Sequence, residues 1–576
     1  MTYPDVVLAH RYSSDSIEVR LAAAGWRKIE GTDSQGNAYT LFWRSNYHQV
    51  APQGFSIEQL QRWATRQTGM FAAVVICANE AAIVTNRSRA YSVLFAHAAG
   101  KWVIADRPEP LQNEFGLNAL NRAAAAEFAH TSFVVGTDTL LQGVSAAPAG
   151  SVVTLRPKNG KDSGEGTAKI RPYHMHGYGP EEVTDPVQMS QMMKRALEVV
   201  LRRTMEYADG RQLLIPLSGG IDSRLLVALL SRAQYPNLRA FTYGKTGSSE
   251  VAISRQVAGR FGVSWVGIDL DPREVRRSWA GSEAKRFVEY CWDAQALPHI
   301  QDWYALSQLR ARGLVDEDAV VLPGHTVVGV WHDELSETPL GQQLDTPTEE
   351  LVEIISRHHY MLRGEPLFGA RCAYSKAKIE RFIEDYRAFA SVPSRVNIVE
   401  AFDVLNRQSK YINNSMRAYE FFGYGWDLPM CDVEMWQVWN QAGAVFRDNA
   451  RTWYREFTDA LVADEPVEGV FGARQTQALS QEQLKYQGAP VDRIPPALRR
   501  VLIPMLIKIG LRHKLNRMSS IVTEMRHPMA FEALCGNLSQ SEIGLRLLGG
   551  MRQIGLYCEL FLDNQWNQAN VVPPLR

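Results

Sequence analysis

Long apolar runs are missing from this 576-residue chain: no stretch of 18 apolar residues occurs, and "VLIPMLIKIGL" is short and carries Lys508. A membrane-spanning helix needs roughly 20 such residues, so no membrane span is expected. A charge of one sign is missing too, since 62 basic residues balance 62 acidic ones. No long Lys/Arg run exists, which argues against nucleic acid or an anionic surface as a partner. The most basic stretch, Arg499–Arg500 with Lys508 to Arg517, reads as a solvated helix face. Cysteine is sparse and unpaired in spacing: Cys77, Cys291, Cys372, Cys431, Cys535 and Cys558 stand singly, with no C-x-x-C. That excludes a disulfide framework or a zinc site of such spacing and fits reduced thiols in a cytoplasmic protein. The opening "MTYPDVVLAHRYSSDS" has no basic flank before an apolar core, so no signal peptide is expected. What remains is a globular composition, 45 % apolar and 22 % charged, long enough for two or three domains.

The pattern changes along the chain. Up to about residue 175, "GMFAAVVICANEAAIVTN", "YSVLFAHAAGKWVIA" and "GSVVTLRPKNG" are short apolar or alternating runs between turn signals, which predicts hairpins in layered sheets. "KNGKDSGEGTAK" reads as an exposed hairpin loop or linker. Apolar spacings of three and four in "DPVQMSQMMKRALEVVLRRTMEYA" predict a helix. From Gln212 onward, "LLIPL", "SRLLVALLSRA", "LRAFTYG", "SSEVAISRQVAGRFG" and "SWVGIDL" alternate strand and helix, the mark of a parallel sheet flanked by helices. Beyond about residue 345, long aromatic-rich helices are expected.

Within that alternation, "PLSGGIDSR" puts Ser218-Gly219-Gly220-Ile221-Asp222-Ser223 between a strand and a helix. Several backbone N–H groups converge there, and the helix dipole adds about half a positive charge, so a phosphate is the expected guest. The glycines would let the backbone approach the oxygens and adopt positive φ. No Lys follows them, which excludes a Walker loop, and the partial match at Gly244-Lys245-Thr246 lacks its first glycine, Arg239 standing there. No Rossmann G-x-G-x-x-G is present at this loop.

S-G-G-I-D-S resembles the PP-loop of the ATP pyrophosphatases, which split ATP between its α and β phosphates. With "LRAFTYG", "SSEVAISRQVAGRFGVSW", "LPHIQDWYALSQL", "VVLPGHTVVGVWHDE" and the block Arg407 to Trp436, the resemblance narrows to the asparagine synthetase family. The wording of the later blocks is similar to the branch associated with surface polysaccharides. The resemblance implies an α/β fold: an N-terminal layered β-rich α+β (Ntn-hydrolase-like) domain over residues 1–175, related to a class II glutaminase. A doubly wound parallel sheet of PP-loop/HUP type with many helices would follow over 185–576. It implies ATP and Mg²⁺ as cofactors. Leu217, Ser218, Gly219, Gly220 and Ser223 would hold the phosphates, Asp222 the Mg²⁺, and Thr242, Tyr243, Gly244, Gly324 and His325 the rest of the nucleotide. Glu250 opens the next helix.

Three departures from the family stand out. Its glutaminase needs a cysteine after the initiator Met, where this chain has Thr2, so a dead glutaminase and a supply of ammonia, an amine or a partner glutaminase are expected. The branch carries an acidic residue where Val328 stands, leaving Asp333 as the substitute metal ligand. The family also places a cation over the reacting phosphates, for which Lys410, Arg417 and Lys485 are the candidates. The function the resemblance implies is an AMP-forming amidoligase acting on a carboxylate such as a uronic-acid sugar or aspartate. The alternatives are closure of a peptide macrolactam, as in lasso-peptide cyclases, and an ATP-binding pseudoenzyme.

Overall fold

The structure is a computed structural model that describes residues 9–33, 36–47, 52, 54–157, 166–180, 182–329, 343–364, 373–447, 451–463, 529–566 and 569–574. Two sheets occupy its first part. The strands are His10–Ser13 (β1), Ile17–Leu21 (β2), Arg27–Thr32 (β3), Ala38–Ser45 (β4), Phe71–Cys77 (β5), Glu80–Thr85 (β6), Leu94–Ala98 (β7), Lys101–Ala105 (β8), Val144–Ala146 (β9), Ser151–Arg156 (β10) and Thr167–Pro172 (β11). One sheet has the order β1-β2-β8-β7-β9 and the other β11-β10-β6-β5-β4-β3. The period of two explains the layering. Ala72, Val74 and Ile76 of β5 face a core shared with Ile17, Val19 and Leu21 of the other sheet. Phe71, Ala73 and Val75, one residue out of phase, face Leu60 and Ala64 of the helix Ile57–Arg66. Both faces of β5 are therefore covered, and the expected hairpins are present, β5 with β6, β7 with β8 and β10 with β11.

The helix Pro186–Ala208 follows, started by Asp185, whose carboxylate accepts from Val187 and Gln188 N–H, with Pro186 in the first turn. Five parallel strands come next: Leu213–Pro216 (β12), Leu238–Gly244 (β13), Ser264–Asp269 (β14), Val320–Val321 (β15) and Gly425–Trp426 (β16). Leu213, Leu214 and Ile215 are all fully buried, as in a strand covered on both faces, which is why they form an unbroken apolar run. The order β14-β13-β12-β15-β16 reverses direction between β12 and β15. Parallel sheets bind ligands at the carboxyl ends of the strands beside such a reversal. The two-residue β16 lies in the block Arg407 to Trp436; so short a strand has no alternation to detect.

Helices Thr348–His359, Ala373–Phe389 and Arg395–Phe402 match the expected helical region. The last runs directly into a π-helix, Asp403–Ile412, which no sequence signal anticipated. The two halves are joined by buried polar contacts. Asp427 accepts hydrogen bonds from Asn46 Nδ2 at 2.7 Å, Tyr47 Oη at 2.8 Å and Thr204 Oγ1 at 2.7 Å, and Arg44 pairs with Glu420 at 2.6 Å. No helix among the described residues is long and apolar enough to cross a membrane.

Candidate active site

The loop Ser218–Gly220 leaves the carboxyl end of β12 and opens the helix Ile221–Arg232. Gly220 is the N-cap and no side chain caps that end, so its first N–H groups have no side-chain acceptor. Ser218 Oγ accepts from Gly220 N at 3.2 Å and lies 3.4 Å from Ser223 Oγ. Neither Gly219 nor Gly220 has positive φ, which corrects one part of the expectation: the left-handed region is not why glycine stands here. Approach is the reason that fits. A Cβ on Gly219 would meet only Ile253 Cδ1, at 3.9 Å, so the backbone faces open space that a side chain would occupy.

Asp222, in the first turn of that helix, is engaged on both oxygens. Arg451 donates Nη1 to Oδ2 at 3.1 Å and Nη2 to Oδ1 at 2.9 Å, and Tyr454 Oη donates to Oδ1 at 3.0 Å. Burial disfavours the guanidinium charge of Arg451, but the pairing with Asp222 outweighs it and holds its pKa above the ordinary value. Arg451 has φ of 54°, sparsely populated for a residue with a side chain. Its helix, Thr452–Ala463, is tied to the loop's own helix by Arg232, which donates to the carbonyls of Leu461 and Val462, and by Arg224–Asp459 at 3.1 Å.

The neighbouring strand ends close the site. Thr242 Oγ1 is committed to Leu217 O and Ser254 Oγ, so it braces β12 and β13. Tyr243 Oη donates to Asp302, which also accepts from Tyr419 Oη at 2.7 Å. Gly244 is required by closeness: a Cβ there would stand 3.1 Å from Val251 and 3.2 Å from Ser248, where Glu250's helix Ser249–Arg260 begins. Across the reversal, a Cβ on Gly324 would lie 3.0 Å from Ser223 N, so the loop after β15 touches the loop after β12 only because Gly324 has none. His325 follows, its Nε2 3.2 Å from Gln408 Oε1, while its Nδ1 is buried with no hydrogen-bond partner among the described residues. Burial lowers its pKa to about 4, opposed by the hydrogen bond to Gln408 and reinforced by Arg407, so the ring is neutral near pH 7.

The structure thus brings Leu217–Ser223, Thr242–Gly244 and Gly324–His325 to one edge. It does not bring Lys410 or Arg417 there. Lys410 Nζ donates to Val134 O and Gly136 O, both at 2.7 Å, and to Asn406 Oδ1 at 3.2 Å. Arg417 pairs with Glu420 at 3.0 Å and donates to Ala90 O. Both line a separate cavity of about 30 Å³ against Arg44, Arg89 and Arg107 from the N-terminal half. Val328 is buried, 1 % exposed, its N–H bonded to Thr326 Oγ1 at 3.0 Å. Thr2, Asp333 and Lys485 lie outside the described residues.

Residues 194–320 match the family model for asparagine synthase. That segment, under a quarter of the chain, is what is similar to asparagine synthase. It runs from within the helix Pro186–Ala208 to the first residue of β15, includes the loop between β12 and its helix, and ends before Gly324. No curated protein matches the chain. Among solved structures, it is similar to glutamine phosphoribosylpyrophosphate amidotransferase from B. subtilis, complexed with ADP and GMP, at 8 % identity and a TM-score of 0.18, covering 53 % of this chain and 65 % of that one. It is also similar to glutamine-dependent NAD⁺ synthetase from Acinetobacter baumannii, complexed with ADP, at 13 % identity and a TM-score of 0.18, covering 52 % and 59 %. The chain spans under two thirds of either, and at these scores neither likeness carries an inference.

Sequence reasoning missed Arg451 and Tyr454, which lie outside the matched segment. Arg451 lies 229 residues from Asp222, and no local periodicity encodes a pairing across that distance. No group of three or more His, Cys, Asp or Glu side chains that could hold an ion occurs among the described residues. Mg²⁺ commonly needs only one or two carboxylates besides phosphate oxygens. Asp222 is the carboxylate at the loop, and both its oxygens are taken by Arg451 and Tyr454. The arrangement suits a phosphate chain; it does not suit Mg²⁺ while that pairing stands.

Proposed function

We propose that this protein is an ATP-dependent ligase that converts a carboxylate into its acyl-adenylate and passes the acyl group to ammonia or an amine. The observation that carries the reading is the uncapped loop Ser218–Gly220 at the sheet's reversal, open in front of Gly219, with the Arg451 guanidinium held beside it by Asp222. A carboxylate at neutral pH has no adequate leaving group, and adenylation provides one. A carboxylate oxygen attacks the α-phosphorus, the bond from that phosphorus to the bridging oxygen breaks, and pyrophosphate leaves with the electron pair. The Gly219 N–H and the Arg451 guanidinium receive that growing charge; preorganised donors of this kind act most strongly at the transition state. The amine nitrogen then attacks the acyl carbon, and AMP departs. Neutral His325 offers a hydrogen-bonding ring and no added charge. The acids proposed are aspartate and a uronic-acid sugar, with ammonia or an amine as the nitrogen donor.

A second reading, ATP binding without turnover, draws on two observations: Asp222 is occupied by Arg451 and Tyr454, and the position of the expected second acid is the buried Val328. Pyrophosphate release from ATP with a panel of carboxylates and ammonia separates the two. The ligase reading expects release that depends on a carboxylate and falls by about 10²–10³-fold in Asp222→Ala. Release untouched by Asp222→Ala would overturn it, and ATP binding without release under any condition would establish the second reading.

A further inference from the structure

A cavity of about 390 Å³, within the size range of small-molecule sites, lies on the other side of the π-helix Asp403–Ile412. The π-helix supplies Asp403, Arg407 and Tyr411 to its wall, and Arg552 enters from the C-terminal part of the chain at the start of the helix Gln553–Leu562. Short π-segments concentrate at functional sites, and this one runs for ten residues. Neither the Arg407 nor the Arg552 guanidinium has a hydrogen bond or ion pair with another described residue; Arg407 is half-buried and Arg552 exposed. A guanidinium matches a carboxylate or phosphate in two-pronged fashion.

The opposite wall is different. Asp403 Oδ2 accepts from Gln408 Nε2 at 2.8 Å, and Oδ1 lies 3.8 Å from His359 Nδ1. Asp403 would repel a second anionic group and attract a hydroxyl or an ammonium. The same Gln408 carries its other end to His325 at 3.2 Å, and His325 follows Gly324, which presses on Ser223 of the phosphate loop. The cavity is thereby linked to the nucleotide loop through the chain Asp403, Gln408, His325 and Gly324.

We infer that this cavity binds a small organic anion bearing a hydroxyl or ammonium group, its anionic end on Arg407 and Arg552 and its donor on Asp403, at a site apart from the phosphate loop where the reacting carboxylate must lie. The test uses the full chain, without ATP, and three probes: D-glucuronate, L-aspartate, and cyclohexanecarboxylate, which has the acid but no donor. Calorimetry should show millimolar or tighter binding of glucuronate or aspartate, weaker binding of cyclohexanecarboxylate, and about 10-fold loss in Arg407→Gln and in Arg552→Gln at an unchanged melting temperature. In Asp403→Asn, the difference between the probe with a donor and the probe without one should shrink. No binding of either donor-bearing probe to the wild type, or equal binding by wild type and both arginine variants, overturns the site.

Discussion

Two basic side chains, the half-buried Arg451 and the buried Lys410, are treated in opposite ways. Arg451, at the nucleotide loop, faces a carboxylate on two hydrogen bonds, and the pair keeps it charged in spite of burial. Lys410, in the cavity between the halves, is held by two backbone carbonyls and an amide oxygen. Burial, with Arg89 and Lys378 nearby, pushes its pKa well below the ordinary value. A guanidinium fixed by a carboxylate at the edge of an open loop can meet an arriving phosphate. An ammonium whose three donors are spent on the chain's own oxygens is a clip between segments far apart in sequence.

Exchanging each for methionine breaks or sharpens that contrast. Arg451→Met should lower turnover by about 10²–10³-fold, the scale of losing one preorganised charge at a transition state, read as kcat for pyrophosphate release. Lys410→Met should leave kcat within a few-fold and lower stability by about 1–3 kcal/mol, because the carbonyls of Val134 and Gly136 lose their buried partner. A large fall in kcat for Lys410→Met at retained stability would reverse the assignment.

The same interface sharpens the comparison through pH. Glu109 is buried with neither carboxylate oxygen hydrogen-bonded, and burial pushes its pKa up to about 7, against the pull of Arg107. Because the folded value lies above the unfolded one, the native state holds the proton longer. Its contribution is complete below about pH 4.5 and is lost as pH rises through 7. Denaturation of Glu109→Gln should therefore show a flatter decline between pH 5 and 8 than wild type, with a difference of roughly 2–3 kcal/mol at the upper end. Identical slopes would place a partner for Glu109 in the native state.

How much of this could be read from the chain depended on distance along it. The loop Ser218–Ser223 was legible because strand, glycines and helix start are adjacent, and the β5–β6 hairpin because its alternation is local. Gly324 and His325 were named from resemblance, and packing supplied the physical reason: Gly324 can lie against Ser223 only without a Cβ. Arg451 was not legible, since its partner is 229 residues away and the helix after it looks like any other. Lys410 and Arg417 were legible as cations but not as belonging to the other cavity, which only the tertiary fold decides. The π-helix left no mark either: Asp403, Arg407 and Tyr411 are compatible with an ordinary helical spacing, and the i to i+5 bonding depends on what surrounds them.

The most direct test of the central claim is ³¹P NMR of ATP incubated with the protein, a carboxylate acceptor and ammonia. Cleavage at the α-phosphorus predicts matching growth of AMP and pyrophosphate signals, dependent on the acceptor and lost in Arg451→Met. Growth of ADP and inorganic phosphate, or products unchanged by the loss of Arg451, would contradict it.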